Sequence, residues 1–319
     1  MAKLQIALYW AAGCGGCDVA VLDTDAFILT VAELCDIRLW PIAVDGKYED
    51  IEVMADQELD VAFINGAIRT SENEHLAKLL RQKSKVLVAF GSCAHMGGIP
   101  GLANFVDREE IFQRAYLDNP SIEPGNRTVP QPESRVNGHT LDIPKFYKRV
   151  YRLNDVVDVD YYLPGCPPAP DQVKAAIVAI ATGRLPAKGS VVGCSDRAVC
   201  DECKRQKEEK KVKKFHRPWQ KIQDFEKCLL EQGIVCMGSV TRGGCGVRCP
   251  NTGQGCRGCY GPMAGVEDQG AKFLSALTSI IDSKDPAEIE KILEGIPDFP
   301  AIAYRFGLPN SLLQRRMRA

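Results

Sequence analysis

The sequence predicts a doubly wound α/β sheet over residues 1–188, followed by a largely irregular, partly helical, cysteine-organised domain over 189–319. Three observations carry this. Apolar runs of strand length alternate with helical stretches as far as Gly183. Beyond about residue 190 the alternation stops, and nine of the 14 cysteines crowd into residues 194–259. A chain of 319 residues also exceeds the roughly 150 expected of one domain.

In order, LQIALYW (4–10) is a first strand and Val19 to Cys35 a helix. IRLWPIAV (37–44) is a second strand, with Pro41 marking an edge or an irregularity. LDVAFING (59–66) and KVLVAFGS (85–92) are continuous apolar runs, typical of parallel strands buried on both faces, with a helix at ENEHLAKLLRQK (72–83) between them. Residues 100–155, with PKFYKRVYR at 144–152, are too long for an ordinary loop and suggest a functional or partner-covered segment. VDVDYYLPG (157–165) gives a last strand and DQVKAAIVAIATG (171–183) a helix stopped by Gly183. Near the C-terminus Phe273, Leu274, Leu277, Ile280 and Ile281 share a helix face. DPAEIEKIL then places Asp285 at an N-cap and Pro286 at the first helical position.

Composition excludes several classes. Forty basic and 41 acidic residues nearly cancel, so the overall charge calls for neither nucleic acid nor an anionic membrane. No apolar run approaches the ~20 residues of a membrane span, and the start carries neither a signal peptide nor a twin arginine, which implies a cytoplasmic protein without direct membrane insertion. There is no GxGxxG or P-loop motif to support nucleotide binding.

Cysteine is the informative residue. In a cytosolic chain so many thiols point to metal rather than disulfides. Cys14 and Cys17 follow the first predicted strand, Cys93 the strand ending at 92, and Cys166 the strand ending at 165. Ligands of a doubly wound sheet gather beyond the carboxyl ends of its strands, so three strands deliver four thiols to one edge. A thioredoxin-like CxxC would use Cys14 and Cys17 but leave the other two idle. From Cys200 the spacing C-x2-C-x24-C-x7-C-x8-C-x3-C-x6-C-x2-C supplies eight more, or two further sets of four. Four thiolates suit zinc and iron–sulfur clusters alike.

Taken jointly, CGGC (14–17), GSCA (91–94), PGCPP (164–168), CDEC (200–203), CLLEQGIVC (228–236), Cys245 and CRGC (256–259) resemble the small subunit of [NiFe] hydrogenases over nearly the whole chain. The nearest likeness is to the cytoplasmic, F420-non-reducing (viologen-reducing) hydrogenases that associate with heterodisulfide reductase in methanogens. The resemblance implies a flavodoxin-like first domain and three [4Fe–4S] clusters. The proximal one would sit on Cys14, Cys17, Cys93 and Cys166; the medial on Cys245, Cys249, Cys256 and Cys259; the distal on Cys200, Cys203, Cys228 and Cys236, with Cys194 the rival of Cys228. Cys200 stands where membrane-bound and periplasmic relatives usually have histidine, and Cys249 supplies a fourth medial thiol that they commonly lack. The implied partners are a nickel-bearing large subunit and an iron–sulfur acceptor subunit of a heterodisulfide reductase complex. Two rivals are a quinone-reductase subunit of the complex I type, which shares the α/β domain but carries adjacent cysteines and one cluster, and a non-catalytic protein with three structural zincs.

Other residues carry less. His95 suits a hydrogen-bonding role near the proximal site, and Cys35, at a helix end, suits packing. Asp18 and Asp23 are expected to complement a helix N-terminus, with a proton relay at Asp18 a weaker implication of the resemblance. The run KRQKEEKKVKKFHR (204–217) is a solvated face first and a docking patch for an acidic electron-transfer partner second.

Overall fold

The computed structural model describes residues 3–123, 125 and 127–314. Five parallel strands, β1 (Leu4–Trp10), β2 (Cys35–Leu39), β3 (Leu59–Asn65), β4 (Ser84–Phe90) and β5 (Tyr161–Leu163), form one sheet in the order β2-β1-β3-β4-β5. The order reverses between β1 and β3, which is the switch point where a doubly wound sheet opens a crevice. Successive side chains leave opposite faces. Ala7, Tyr9 and Ile64 pack under the helix Ser71–Lys83 through Leu76, Ala77 and Leu80. Ile6, Leu8 and Phe63 pack under the helices Gly16–Leu22, Phe27–Leu34 and Pro170–Ala181 through Val21, Val31, Val173 and Ile177.

The departures from expectation have local causes. The helix expected over 19–35 is two helices, because the Thr24 hydroxyl bonds the Val21 carbonyl at 2.6 Å and Asp25 turns left-handed at φ 57°. Cys35 is therefore not a helix end: it heads β2, buried in the core, where it packs. The second strand stops at Leu39, since the next residues turn with Ala43 N–H donating to the Trp40 carbonyl at 2.8 Å. Only 161–163 of the last predicted strand pair. Residues 100–155 hold an exposed hairpin, Glu133–Val136 with His139–Asp142, and a strand, Phe146–Tyr151, antiparallel to Ile68–Thr70.

Residues 189–192 run directly along the sheet edge, with Gly189 N–H on the Asp160 carbonyl and Val192 N–H on the Tyr162 carbonyl, both at 2.8 Å. The second half has an apolar core of its own: Phe215, Met237, Val240, Phe273, Leu277 and Ile292 are buried together around the helices Gln269–Ile280 and Pro286–Leu293. Leu274 lies outside that face, exposed, while Asp285 caps its helix through Ala287 N–H at 3.2 Å as expected. The terminal stretch folds back on the first domain, Gly98 N–H reaching the Phe306 carbonyl at 2.9 Å and Asn104 the Gln314 carbonyl at 3.0 Å. Among the described residues no helix is long and apolar enough to cross a membrane.

Asp160 pins the sheet edge. Against the burial that opposes its charge, Lys188 at 2.6 Å, Arg81 at 2.6 Å and Leu87 N–H at 2.8 Å hold its carboxyl below the usual range. A lowered folded-state pKa contributes stability that is present above the unfolded value and lost as pH falls through the folded one. Asp160→Asn should therefore cost about 2 kcal/mol in urea denaturation at neutral pH. The difference from wild type should begin to shrink below about pH 4, where the unfolded chain's carboxyl takes up a proton, and be lost as pH falls through the lowered folded value.

Candidate metal centre

Each of the first four thiols is carried on a turn that glycine makes passable. Cys14 lies between β1 and the helix Gly16–Leu22 and Cys17 in the first turn of that helix, which Gly15 opens in the left-handed region at φ 77°. Cys93 sits in a short helix, Gly91–Met96, rather than in a bare strand-end turn. Cys166 lies just past β5, and Ser92 N–H donates to the Gly165 carbonyl at 2.8 Å, tying its loop to that of Cys93. A Cβ at Gly91 would stand 2.4 Å from the Cys17 sulfur, and one at Gly98 2.4 Å from the Cys93 sulfur. These glycines leave space for sulfur and what it binds.

The four thiols face one another. Burial pushes the Cys17 thiol up most, and Cys93, Cys166 and Cys14 around it add to the push. Cys93 is raised to about 12 by burial, then by Cys166 and Cys14.

The second half repeats the arrangement twice. Cys200 is raised to about 12 by burial, then by Cys236, and Cys228 and Cys203 also face it. Cys259 is raised to about 12 by burial and faces Cys166, Cys249 and Cys245; Cys256, raised by burial, faces Cys236 and Cys259. The three groups stand in a row. Cys259 meets Cys166 at one junction, where the Ser92 hydroxyl also bonds the Cys259 carbonyl at 2.6 Å. At the other, the Cys256 N–H donates to the Cys236 sulfur at 3.2 Å.

Cys194 stands apart. Its sulfur bonds the Val191 carbonyl at 3.2 Å, and burial raises it to about 11 among Arg242, Asp196 and Glu202. Cys228 is the residue brought to Cys200 and Cys236.

Burial and neighbouring thiols make the thiolate costly at Cys17, Cys93, Cys200 and Cys259 unless a cation compensates it, and iron or zinc supplies that charge. The donor set thus fits a soft metal centre. Among the described residues no three His, Cys, Asp or Glu side chains close on a single ion.

Several supporting residues were not anticipated. Asp18, fully buried, accepts from Trp40 Nε1 and Asn65 Nδ2, each at 2.9 Å, so it anchors the thiol turn to β3 rather than serving only as a helix-end charge. Burial raises its carboxyl against those bonds. Asp23 is not at a helix N-terminus: it caps the C-terminal end of Gly16–Leu22. His95 stacks on Tyr162 at 4.7 Å, and burial, with Arg242 and Arg152, lowers it to about 3. Its Nδ1 is buried and finds no hydrogen-bond partner among the described residues. Arg205 is buried between two thiol groups, with guanidinium bonds to the Pro250, Asp224 and Lys227 carbonyls. Only the glycine spacing around Cys14, Cys17 and Cys93 signalled any of this in sequence.

Residues 14–180 match the family described as NADH ubiquinone oxidoreductase, 20 kDa subunit. The chain is 41% identical to an F420-non-reducing hydrogenase iron-sulfur subunit of Archaeoglobus profundus over 320 residues, covering 98% of this chain and 99% of that one. It is 35% identical to an F420-non-reducing hydrogenase subunit of Methanothermobacter thermautotrophicus over 323 residues, 99% of this chain and 98% of that one. Among solved structures, an H2-reduced NAD+-reducing [NiFe]-hydrogenase chain is 30% identical, covering 58% of this chain and 94% of its own, with a TM-score of 0.50. The [NiFeSe] hydrogenase of Desulfovibrio vulgaris Hildenborough shares the fold at 15% identity and a TM-score of 0.51, covering 83% of this chain and 95% of its own.

Proposed function

The chain belongs to the small subunits of the F420-non-reducing hydrogenases, and from that premise we propose that it holds three [4Fe–4S] clusters and links a hydrogen-activating large subunit to an acceptor subunit of a heterodisulfide reductase-type complex in the cytoplasm. Its coarser role is that of a hydrogenase's electron-transfer small subunit. When bound, the clusters supply one-electron carriage.

The chain's own residues do the holding. Cys14, Cys17, Cys93 and Cys166 would bind the proximal cluster, on the face offered to the large subunit. Cys245, Cys249, Cys256 and Cys259 would bind the medial one. Cys200, Cys203, Cys228 and Cys236 would bind the distal one, toward the acceptor. With the CxxC pairs so employed, the nickel ligands belong to the large subunit, and this chain alone does not activate hydrogen. The observation that supports this reading best is the row of three mutually facing thiol groups, joined at Cys166/Cys259 and Cys236/Cys256. The separation of residues 1–188 from 189–319 follows the same division, one cluster in the first and two in the second.

The test is anaerobic purification with iron, sulfide and zinc analysis. A brown protein with about twelve irons per chain, four to a cubane, is expected. A colourless protein rich in zinc would replace the reading. Cys228→Ser should lose about four irons while Cys194→Ser keeps all of them; the reverse result would exchange the two in the distal set.

A further inference from the structure

We propose that the loop 217–227 beside the distal thiols is a docking surface for an acidic redox protein; this rests on the reading above and says where and by what chemistry the acceptor is held. Three large apolar side chains stand in solvent within seven residues of one another: Trp219 at 77% exposure, Ile222 at 97% and Phe225 at 62%. Scattered exposed apolar residues are ordinary, but three this open on one short loop are not. The loop ends at Cys228, and Phe225 reaches the stretch between Cys249 and Cys256, a Cβ at Gly253 meeting its ring at 3.2 Å.

Charge identifies the occupant. Residues 204–227 carry ten Lys and Arg against four Asp and Glu, a surplus of six in a chain whose formal net charge is −1. The surplus flanks the distal set itself: Lys207 bonds the Cys200 carbonyl at 3.3 Å, and Cys228 N–H bonds the Gln206 carbonyl at 2.8 Å. Apolar and aromatic anchors set in a basic stretch, with the Arg217 guanidinium 5.6 Å from the Trp219 ring centroid and the Arg205 guanidinium 5.3 Å from that of Phe225, suit a partner with an apolar patch and an acidic rim, the basic charge steering encounter and the anchors slowing departure. A membrane with anionic lipid offers related chemistry. Gln220, Gln223, Asp224 and Glu226 break up the apolar positions, however, and among the described residues 217–227 hold no amphipathic helix to lie in a bilayer surface.

The experiment uses the purified complex with its large subunit and, as probe, a small acidic [2Fe–2S] ferredoxin. Binding of wild type should weaken about tenfold between 50 and 300 mM salt. The variant Trp219→Ser/Ile222→Ser/Phe225→Ser should bind at least tenfold more weakly at either salt, with iron, sulfide and large-subunit content unchanged. Lys204→Glu/Lys221→Glu, which spares the apolar trio, should abolish the salt dependence. Equal ferredoxin binding by wild type and the trio variant overturns the docking surface. So does a trio-dependent pelleting of the complex with vesicles of 30% anionic lipid and no ferredoxin effect, which would make the loop a membrane contact. A wild-type chain without iron overturns the underlying reading instead.

Discussion

Gly98→Ala is expected to strip about four of the roughly twelve irons proposed for the protein, without unfolding the sheet. The residue has φ 57° and ψ −156°, a backbone conformation open essentially to glycine. A Cβ built there stands 2.4 Å from the Cys93 sulfur and 2.7 Å from the Cys93 Cα. The sulfur could swing away on its own bond, but the backbone atom cannot, so the short helix carrying Cys93 must move. Gly91→Ala should act alike through Cys17, whose sulfur would lie 2.4 Å from the new methyl at φ 85°. A displaced ligand or its support costs on the order of 10–100-fold in metal affinity or activity, and loss of one member of a row interrupts the whole. Hydrogen-dependent dye reduction should therefore fall about a hundredfold in either variant. Gly189→Ala is the control. It shares φ 85°, yet a Cβ there meets nothing within 4 Å. It should lose only the 1–2 kcal/mol of a left-handed alanine and keep all its iron. Equal iron in Gly98→Ala and wild type, measured beside that control, would show that the glycines serve the turn and not the thiols.

The strands that carry the first thiols were more legible in the sequence than the contacts that support them. β1, β3 and β4 were legible because strands buried on both faces are continuous apolar runs, and their carboxyl ends locate Cys14, Cys17 and Cys93. The second half announced its thiol groups by cysteine spacing but hid its core: Phe215, Met237 and Phe273 are far apart in the chain and share no period. The break at Thr24–Asp25 rests on a hydroxyl-to-carbonyl bond that leaves the helical apolar pattern intact, so periodicity ran across it. The choice between Cys194 and Cys228 was undecidable from spacing, since either could complete four. The geometry places Cys194 beside Arg242 and Cys228 beside Cys200. Asp18 looked like a helix-end charge because its partners, Trp40 and Asn65, lie 22 and 47 residues away. Exposure is equally invisible: Trp219 and Phe225 could as well have been core.

Arg205→Met is expected to disable two thiol groups at once. The guanidinium is buried, and its Nε and Nη2 donate to the Pro250 carbonyl at 3.0 and 2.8 Å, while Nη1 donates to the Asp224 and Lys227 carbonyls at 2.8 and 3.0 Å. Pro250 follows Cys249 and Lys227 precedes Cys228, so one planar fork ties the loop of the medial set to that of the distal set. Methionine would remove four charged donor bonds; the Asp224 and Lys227 carbonyls keep Gln232 Nε2 at 3.0 Å and the Pro250 carbonyl keeps Gly253 N–H at 3.1 Å, so the loss is that of the bonds themselves, about 3 kcal/mol overall. For a domain of this size that lowers Tm by about 10 °C. The guanidinium also lies 5.3 Å from the centroid of the Phe225 ring. Among the described residues it has no carboxylate within ion-pair distance, and a buried cation without one is costly unless another anion compensates it. A thiolate-bound cluster beside it would be that anion. Each added electron makes such a centre more negative, so the cation favours the reduced form, and its removal should lower the distal potential by on the order of tens of millivolts. Arg205→Lys separates the two roles. It keeps the charge and loses the fork, so its Tm should fall nearly as far while the potential, read by redox-titrated electron paramagnetic resonance, stays near wild type. If Met and Lys shift the potential equally, the guanidinium acts through its bonds to the loops and its charge does not reach the distal site.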